Sequence, residues 1–166
     1  MPVDESDFRQ QVLGRLRGRG AHMGFEECIK DFAMSRINDK FPNGTYSPYA
    51  LVEHLRRGQR DIVDYIENPD YQEMEWPKDY WPDEDFVATQ ADWGRAVDGF
   101  LADRHILEAM VEDPNVDLTS EVATKGSGHT ILREVLLIAD HNAYHIGEFA
   151  IMRQVMGTWS EDRPRV

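Results

Sequence analysis

Cysteine is almost absent from this chain. Cys28 is its single cysteine among 166 residues, so no disulfide can form within the chain. This composition is typical of a reducing compartment and excludes a small secreted domain held together by cross-links. The acidic start, Met1–Glu5, also lacks the apolar run of a secretory signal. We therefore expect a cytoplasmic protein.

Long apolar runs and positive charge are also scarce. No stretch reaches the roughly 18 apolar residues that a membrane-spanning helix requires. The chain has 18 basic and 31 acidic residues, which gives a formal net charge of −13. Nucleic acids and anionic membrane surfaces are bound through clustered Lys and Arg, and the densest group here is the interrupted series Arg15, Arg17, Arg19. We expect neither nucleic acid nor a membrane as a partner.

The chain nevertheless has enough apolar material for a core. Hydrophobic residues make up 41% of the sequence, which is typical of a folded globular protein. The length suits a single domain over residues 1–166. No segment alternates between apolar and polar residues with the period of a strand. The sequence therefore predicts an all-α fold.

Apolar residues recur at helical spacing in four main segments, over about 25–38, 48–68, 83–111 and 130–156. A short polar helix over about residues 4–17 precedes them. Ser47 and Pro48 form a start signal, because Ser caps a helix and Pro suits its first position. Gly157 is a stop signal. Four helices of this length predict a four-helix bundle.

The segment 68–83 predicts an ordered crossover rather than a helix. It contains three prolines and four bulky aromatic residues: Pro69, Pro77, Pro82, Tyr71, Trp76, Tyr80 and Trp81. The prolines forbid a regular helix, and the aromatic residues argue against a flexible linker. A long crossover joins helices that are not antiparallel neighbours.

Three histidines are the candidate metal ligands. His141 and His145 lie four residues apart, which puts both imidazoles on one helix face within reach of one ion. His54 lies on an apolar stripe between Leu51 and Leu55, where an unpaired polar ring would be costly. Three protein ligands with an open fourth position are typical of a catalytic site. The alternative is three core histidines, since the pattern does not show that these helices touch.

Other side chains are weaker candidates. Asp140, Glu148 and Glu53 are candidates to orient an imidazole or to act as a base, and the alternative is that they are solvated helix charges. Tyr144 is a candidate donor to a substrate, with packing as its alternative. His22 is a candidate pocket residue, with a loop or capping role as its alternative.

Two further features favour structural roles. Cys28 lies on an apolar stripe with Phe25 and Phe32, which predicts a core position. The loop Lys125–Gly128 precedes a helix N-terminus, where backbone N–H groups favour anions. The alternative for this loop is a plain flexible connection.

Two motifs resemble the DinB-like superfamily of metalloenzymes. The segment Ser47–Leu55 (SPYALVEHL) resembles its second-helix motif, and Asp140–Glu148 (DHNAYHIGE) resembles its last-helix motif. The similarity extends over nearly the whole chain, through Ala21–Phe25, Trp76–Pro77, Tyr80–Pro82 and Gly126–Gly128. The combination is specific, although each piece alone is not.

The resemblance implies a DinB-like four-helix bundle with crossover connections and a three-histidine site. The ligands implied on this chain are His54, His141 and His145, and the metal is zinc or nickel. The resemblance also implies a homodimer and a small-molecule substrate. Its characterised members include thiol-dependent transferases and isomerases that use small thiols such as bacillithiol or mycothiol.

Three hypotheses about function follow. The first is a metal-dependent enzyme that acts on a small molecule by thiol transfer or hydrolysis, with metal activation of a water or a thiol. The second is a non-catalytic module that binds a small ligand or a metal. The third is a structural ion that locks the bundle.

Overall fold

The computed structural model describes residues 4–124 and 126–160, and all regular secondary structure in this part of the chain is helical. It contains no β-strand, so the predicted all-α class is confirmed. The elements are α1 (Glu5–Leu16), α2 (Phe25–Ile29), a 3₁₀ turn (Met34–Arg36), α3 (Pro48–Glu67), α4 (Gln90–Glu112) and α5 (Ile131–Met156). None of the helices in the described ranges is both long enough and apolar enough to cross a membrane.

The helix boundaries follow local chemistry. The Ser47 side chain accepts a hydrogen bond from the backbone N–H of Ala50, and Pro48 is the first residue of α3, as predicted. Thr130 caps α5 in the same way, and Gly157 ends that helix in the left-handed conformation, with φ of 63°. The expected start of α3 and end of α5 are confirmed.

Two predicted helices are wrong in extent. The helix expected over 25–38 ends at Ile29, because Lys30 leaves the helical region with ψ of 133° and Asp31 then adopts a left-handed backbone with φ of 54°. The helix expected from residue 83 begins only at Gln90. There Thr89 and Asp92 form a reciprocal capping box, which ends the preceding coil and starts α4.

Four long helices pack in a closed ring. α3 packs against both α4 and α5, and α1 packs against the same two helices on the opposite side. The fourth long helix is therefore the leading α1 rather than the segment after residue 25. Its Val12, Leu13 and Leu16 are buried, so its polar sequence conceals one apolar face.

The relative directions of the helices explain the long crossover. Arg60 donates to Asp103, and Arg56 lies beside Gly99, so α3 and α4 run parallel. α5 runs antiparallel to α3. Two parallel neighbours can be joined only by a chain that returns along their length. Residues 68–89 make that return, which confirms the crossover expected there.

A polar layer separates two apolar clusters in the interior. The first cluster includes the N-terminal halves of α3 and α4 and the C-terminal half of α5: Leu51, Leu55, Trp93, Phe100, Ile146 and Phe149. The second lies at the other end: Leu13, Val63, Leu107, Val111, Val135 and Ile138. Between them, buried Asn142 donates to Gln59 across 2.8 Å. His141 directly precedes Asn142 at this level, and the His54 that it contacts lies between Leu51 and Leu55 of the first cluster.

One face of α3 fixes the crossover. The buried carboxylate of Asp61 accepts hydrogen bonds from the hydroxyls of Tyr71 at 2.8 Å and Tyr80 at 2.6 Å. One turn earlier, Arg57 donates to the carbonyl oxygens of Asp79 at 3.1 Å and Trp81 at 2.8 Å. These contacts set the position of residues 79–81 above α3.

We expect Asp61→Ala to loosen the crossover. The change leaves two tyrosyl hydroxyls without their acceptor, which should lower the free energy of unfolding by about 1–3 kcal/mol. Urea denaturation measures this loss, and limited chymotrypsin digestion reports access to the aromatic residues of the crossover. Glu67→Ala, at an exposed position of the same helix, is the control. Equal behaviour of the two variants would contradict the anchoring role.

Candidate metal centre

Three imidazoles converge where α3 faces α5. His54 comes from α3, and His141 and His145 come from successive turns of α5. Nε2 of His54 lies 3.1 Å from Nε2 of His141 and 3.2 Å from Nε2 of His145. The three potential ligand atoms all lie within 4.8 Å of one another, and they form a group that could hold a metal ion.

The spacing of these nitrogens fits a small divalent ion. Two nitrogens bound at about 2.05 Å to one zinc ion are about 3.3 Å apart in tetrahedral geometry and about 2.9 Å apart at a right angle. The separations of 3.1 and 3.2 Å fall between those values. The donor set of three imidazoles suits zinc, nickel, copper and ferrous iron.

The second ring nitrogens of His54 and His145 are held by oxygen acceptors. Nδ1 of His54 lies 3.1 Å from the carbonyl oxygen of Tyr80. Nδ1 of His145 lies 2.7 Å from a carboxylate oxygen of Glu148, and the Tyr46 hydroxyl donates to the other oxygen of that carboxylate. A carbonyl only accepts, so Nδ1 of His54 carries the proton and its Nε2 keeps the lone pair. The carboxylate selects the same tautomer of His145.

Burial keeps these rings neutral. It lowers the pKa of His54 to about 4 and also lowers the pKa of His141. Burial, with the neighbouring imidazoles, lowers the pKa of His145 to about 3. At neutral pH all three are uncharged, which is the form of histidine that binds metals.

Aromatic rings enclose the group on several sides. Trp81 stacks on His54 with ring centroids 4.0 Å apart and planes 3° from parallel. Trp76 meets the edge of the same imidazole at 6.3 Å, and Tyr144 meets His145 at 4.9 Å. Trp76 is 67% exposed and Tyr144 is 69% exposed, so both also face solvent.

Gly58 gives His141 its space. A Cβ atom at this position of α3 would lie 3.3 Å from Cε1 of His141, closer than ordinary van der Waals contact. The absent side chain lets the imidazole lie against the backbone of α3. A glycine one turn after His54 therefore belongs to the construction of the site.

Of the carboxylates considered from sequence, only Glu148 contacts a histidine of this group. Glu53 is buried but accepts hydrogen bonds from Arg56 and Arg57, so its charge is used within α3. Asp140 is exposed on α5 and makes no side-chain hydrogen bond in the described part of the chain.

The remaining histidines lie apart from the triad. His22 contacts the carbonyl oxygen of its neighbour Met23, beside a different cavity that His105 also lines. Nδ1 of His129 forms a hydrogen bond of 2.9 Å with the Tyr65 hydroxyl. Cys28 is buried in the core, as expected. Lys125, in the loop considered for anions, lies outside the described residues.

Sequence reasoning missed several parts of the site. The carbonyl oxygen of Tyr80 has no sequence signature, because every residue carries one. Trp81 was predicted only as an aromatic residue of the ordered crossover, and Tyr46 was not singled out. Gly58 in the interior of a helix was a usable signal, since glycine destabilises a helix there unless another group needs the space.

No known protein family, curated protein or solved structure matches this chain. The site is therefore judged on its own geometry. That geometry defines an all-helical protein with a three-histidine group that could hold a metal ion.

We expect Glu148→Gln to weaken metal binding without unfolding the protein. Loss of the charge that orients His145 should lower the zinc affinity by about 10- to 100-fold. Competition with a chromophoric chelator measures the affinity. Asp140→Asn removes a carboxylate from an exposed position of the same helix and should leave the affinity unchanged. A Glu148→Gln affinity equal to that control would refute the orienting role.

We expect Gly58→Ala to lower the zinc affinity severalfold, because the new methyl group displaces the His141 imidazole. Alanine has a higher helix propensity than glycine, so the same change should stabilise α3 by about 0.5–1 kcal/mol. Weaker zinc binding would then not reflect a less stable protein. Gly94→Ala is the matched control, since a Cβ there meets no atom within 4 Å. Thermal denaturation and zinc titration of both variants separate the two effects. Unchanged affinity in Gly58→Ala would contradict the steric argument.

Proposed function

We propose that this chain is a divalent-metal-dependent enzyme of the DinB-like type that acts on a small molecule. The observation that carries the proposal is the convergence of three neutral imidazoles, with Nε2 separations of 3.1 and 3.2 Å. Their number leaves a coordination position for a substrate, as in catalytic rather than closed structural sites. Thiol transfer and hydrolysis are the two reaction types proposed.

Zinc or nickel is the proposed metal, held by His54, His141 and His145. When bound, such an ion supplies Lewis acidity toward a small oxygen or sulfur donor. The chain itself orients the ligands. Glu148 fixes the His145 ring, and the carbonyl oxygen of Tyr80 fixes His54.

The family assignment is part of the proposal. It is supported by the ring of four long helices and by the parallel pair α3 and α4 with its long crossover, which together fit a four-helix bundle. It is also supported by the position of the two resembling motifs, since each supplies ligands to the same group. The homodimer and the cytoplasmic location remain predictions.

The charge of the chain supports a small substrate. A net charge of −13 disfavours phosphate-rich polymers, so nucleic acid is not proposed as a partner. A low-molecular-weight thiol is the proposed co-substrate for the transfer reaction.

A non-catalytic role is the second candidate. The polar layer of Gln59 and Asn142 lies between two apolar clusters, at the level of the histidines. An ion there would tie α3 to α5 and stabilise the fold, because metal binding energy then becomes folding energy. Under this alternative, chelation lowers the melting temperature sharply and no substrate is consumed.

We expect the purified protein to bind about one zinc or nickel ion per chain, as a three-histidine site requires. His54→Ala, His141→Ala and His145→Ala should each lose the ion, whereas His105→Ala, remote from the group, should retain it. Elemental analysis measures the stoichiometry. No bound ion after addition of zinc or nickel would overturn the metal site.

Turnover separates the enzyme from the alternatives. The metal-loaded protein should convert small thiols or hydrolysable esters, lose this activity on chelation and regain it when metal is restored. Full activity in the metal-free protein would refute metal dependence. Metal binding without turnover would favour the non-catalytic module.

A further inference from the structure

A cavity lies beside the candidate metal centre, separate from the one that His22 and His105 line. It measures about 530 Å³ and opens between the loop before α3, the first turn of α3 and the crossover. This volume is within the range of small-molecule sites, roughly 300–1,000 Å³. The cavity lining is mostly apolar. Its size and lining suit a small ligand that carries an apolar group.

Two pairs of aromatic rings form its walls. Tyr46 and Trp81 lie with ring centroids 5.1 Å apart, and Tyr49 stacks with Phe86 at 5.6 Å. Phe86 is 47% exposed, so one face of this wall is open to the cavity or to solvent. Planar apolar groups stack favourably on such rings.

The rim carries charges of both signs that are not used within the protein. Lys40 and the two carboxylates of Asp83 and Glu84 line the cavity. In the described ranges none of the three makes an ion pair, whereas the fourth charged group, Lys78, pairs with Glu75 at 3.2 Å. One ammonium and two carboxylates are therefore available to a ligand.

We propose that this cavity binds a small zwitterion with a planar apolar side group, of the class of the aromatic amino acids. The rings hold the planar group, Lys40 pairs with the carboxylate of the ligand, and Asp83 or Glu84 pairs with its ammonium. A ligand with only one charge leaves one of these pairs unmade.

The cavity is distinct from the metal centre. Trp81 lines the cavity and also stacks on His54 at 4.0 Å, so its ring lies between the two sites. The proposed ligand contacts none of the three histidines and no metal, although two wall rings also contact the metal centre: Trp81 stacks on His54, and Tyr46 donates to Glu148. The inference therefore stands independently of the proposed enzymatic activity.

Calorimetric titration of the full chain with three related compounds tests the proposal. L-Tryptophan has both charges, tryptamine lacks the carboxylate, and indole-3-propionate lacks the ammonium. Tryptophan should bind about 3- to 5-fold more tightly than either analogue, as expected for one exposed ion pair. His141→Ala, which should lose the metal, should bind tryptophan as the unchanged protein does.

Variants locate the binding and assign the charges. Phe86→Ala should weaken tryptophan binding, whereas Val87→Ala, at the exposed neighbouring residue, should not. Lys40→Gln should weaken tryptophan and indole-3-propionate about 3- to 5-fold but leave tryptamine unchanged. Lys30→Gln, at an exposed lysine outside the cavity, is the matched control.

Three outcomes would overturn the inference. Absence of binding by all three compounds at millimolar concentration excludes this ligand class. Equal affinity for all three shows that the rim charges do not contribute. Tryptophan binding that is unchanged in Phe86→Ala places the ligand elsewhere on the protein.

Discussion

The structure depends on three imidazoles whose Nε2 atoms converge on one point. Where two unprotonated Nε2 atoms meet at 3.1 or 3.2 Å they repel each other, and a positive charge between them would convert that repulsion into binding. The fold must therefore hold the rings in place by other contacts. The carbonyl oxygen of Tyr80 and the carboxylate of Glu148 provide them, because each fixes a ring through its Nδ1–H group. Burial in turn keeps each neutral ring from acquiring the second proton that would make it a cation.

The crossover connects the positioning of the imidazoles with the order of the helices. α3 and α4 run parallel, so the chain must return along the outside of α3 before α4 begins. One face of α3 carries His54, Arg57 and Asp61 at helical spacing, and each of them contacts residues 79–81. The same segment places Trp81 flat on His54. A connection that topology requires is thus also a wall of the three-histidine group, and these contacts explain why it is ordered.

Sequence predicted the parts of the fold whose causes are local. The start of α3 at Ser47 and Pro48 and the histidine pair of α5 depend only on neighbouring residues. The extent of α2 could not be predicted, since the left-handed turn at Asp31 competes with an apolar period that continues past it. The importance of α1 was also missed, because its buried face appears only when α4 and α5 are in place. Contacts through a main-chain carbonyl, such as that of Tyr80, leave no mark in the side-chain sequence.

The three-histidine group is buried on one side and exposed to solvent on another, and this difference affects the chemistry that it can support. His54 is 2% exposed and lies under Trp81, whereas Trp76 and Tyr144 beside the group are each more than two-thirds exposed. A purely structural ion needs no such open flank, since enclosure on every side would serve it better. Exposed rings next to the three histidines instead provide apolar surface where a small molecule would approach. This asymmetry favours a centre that exchanges a ligand with solvent over one that only joins two helices.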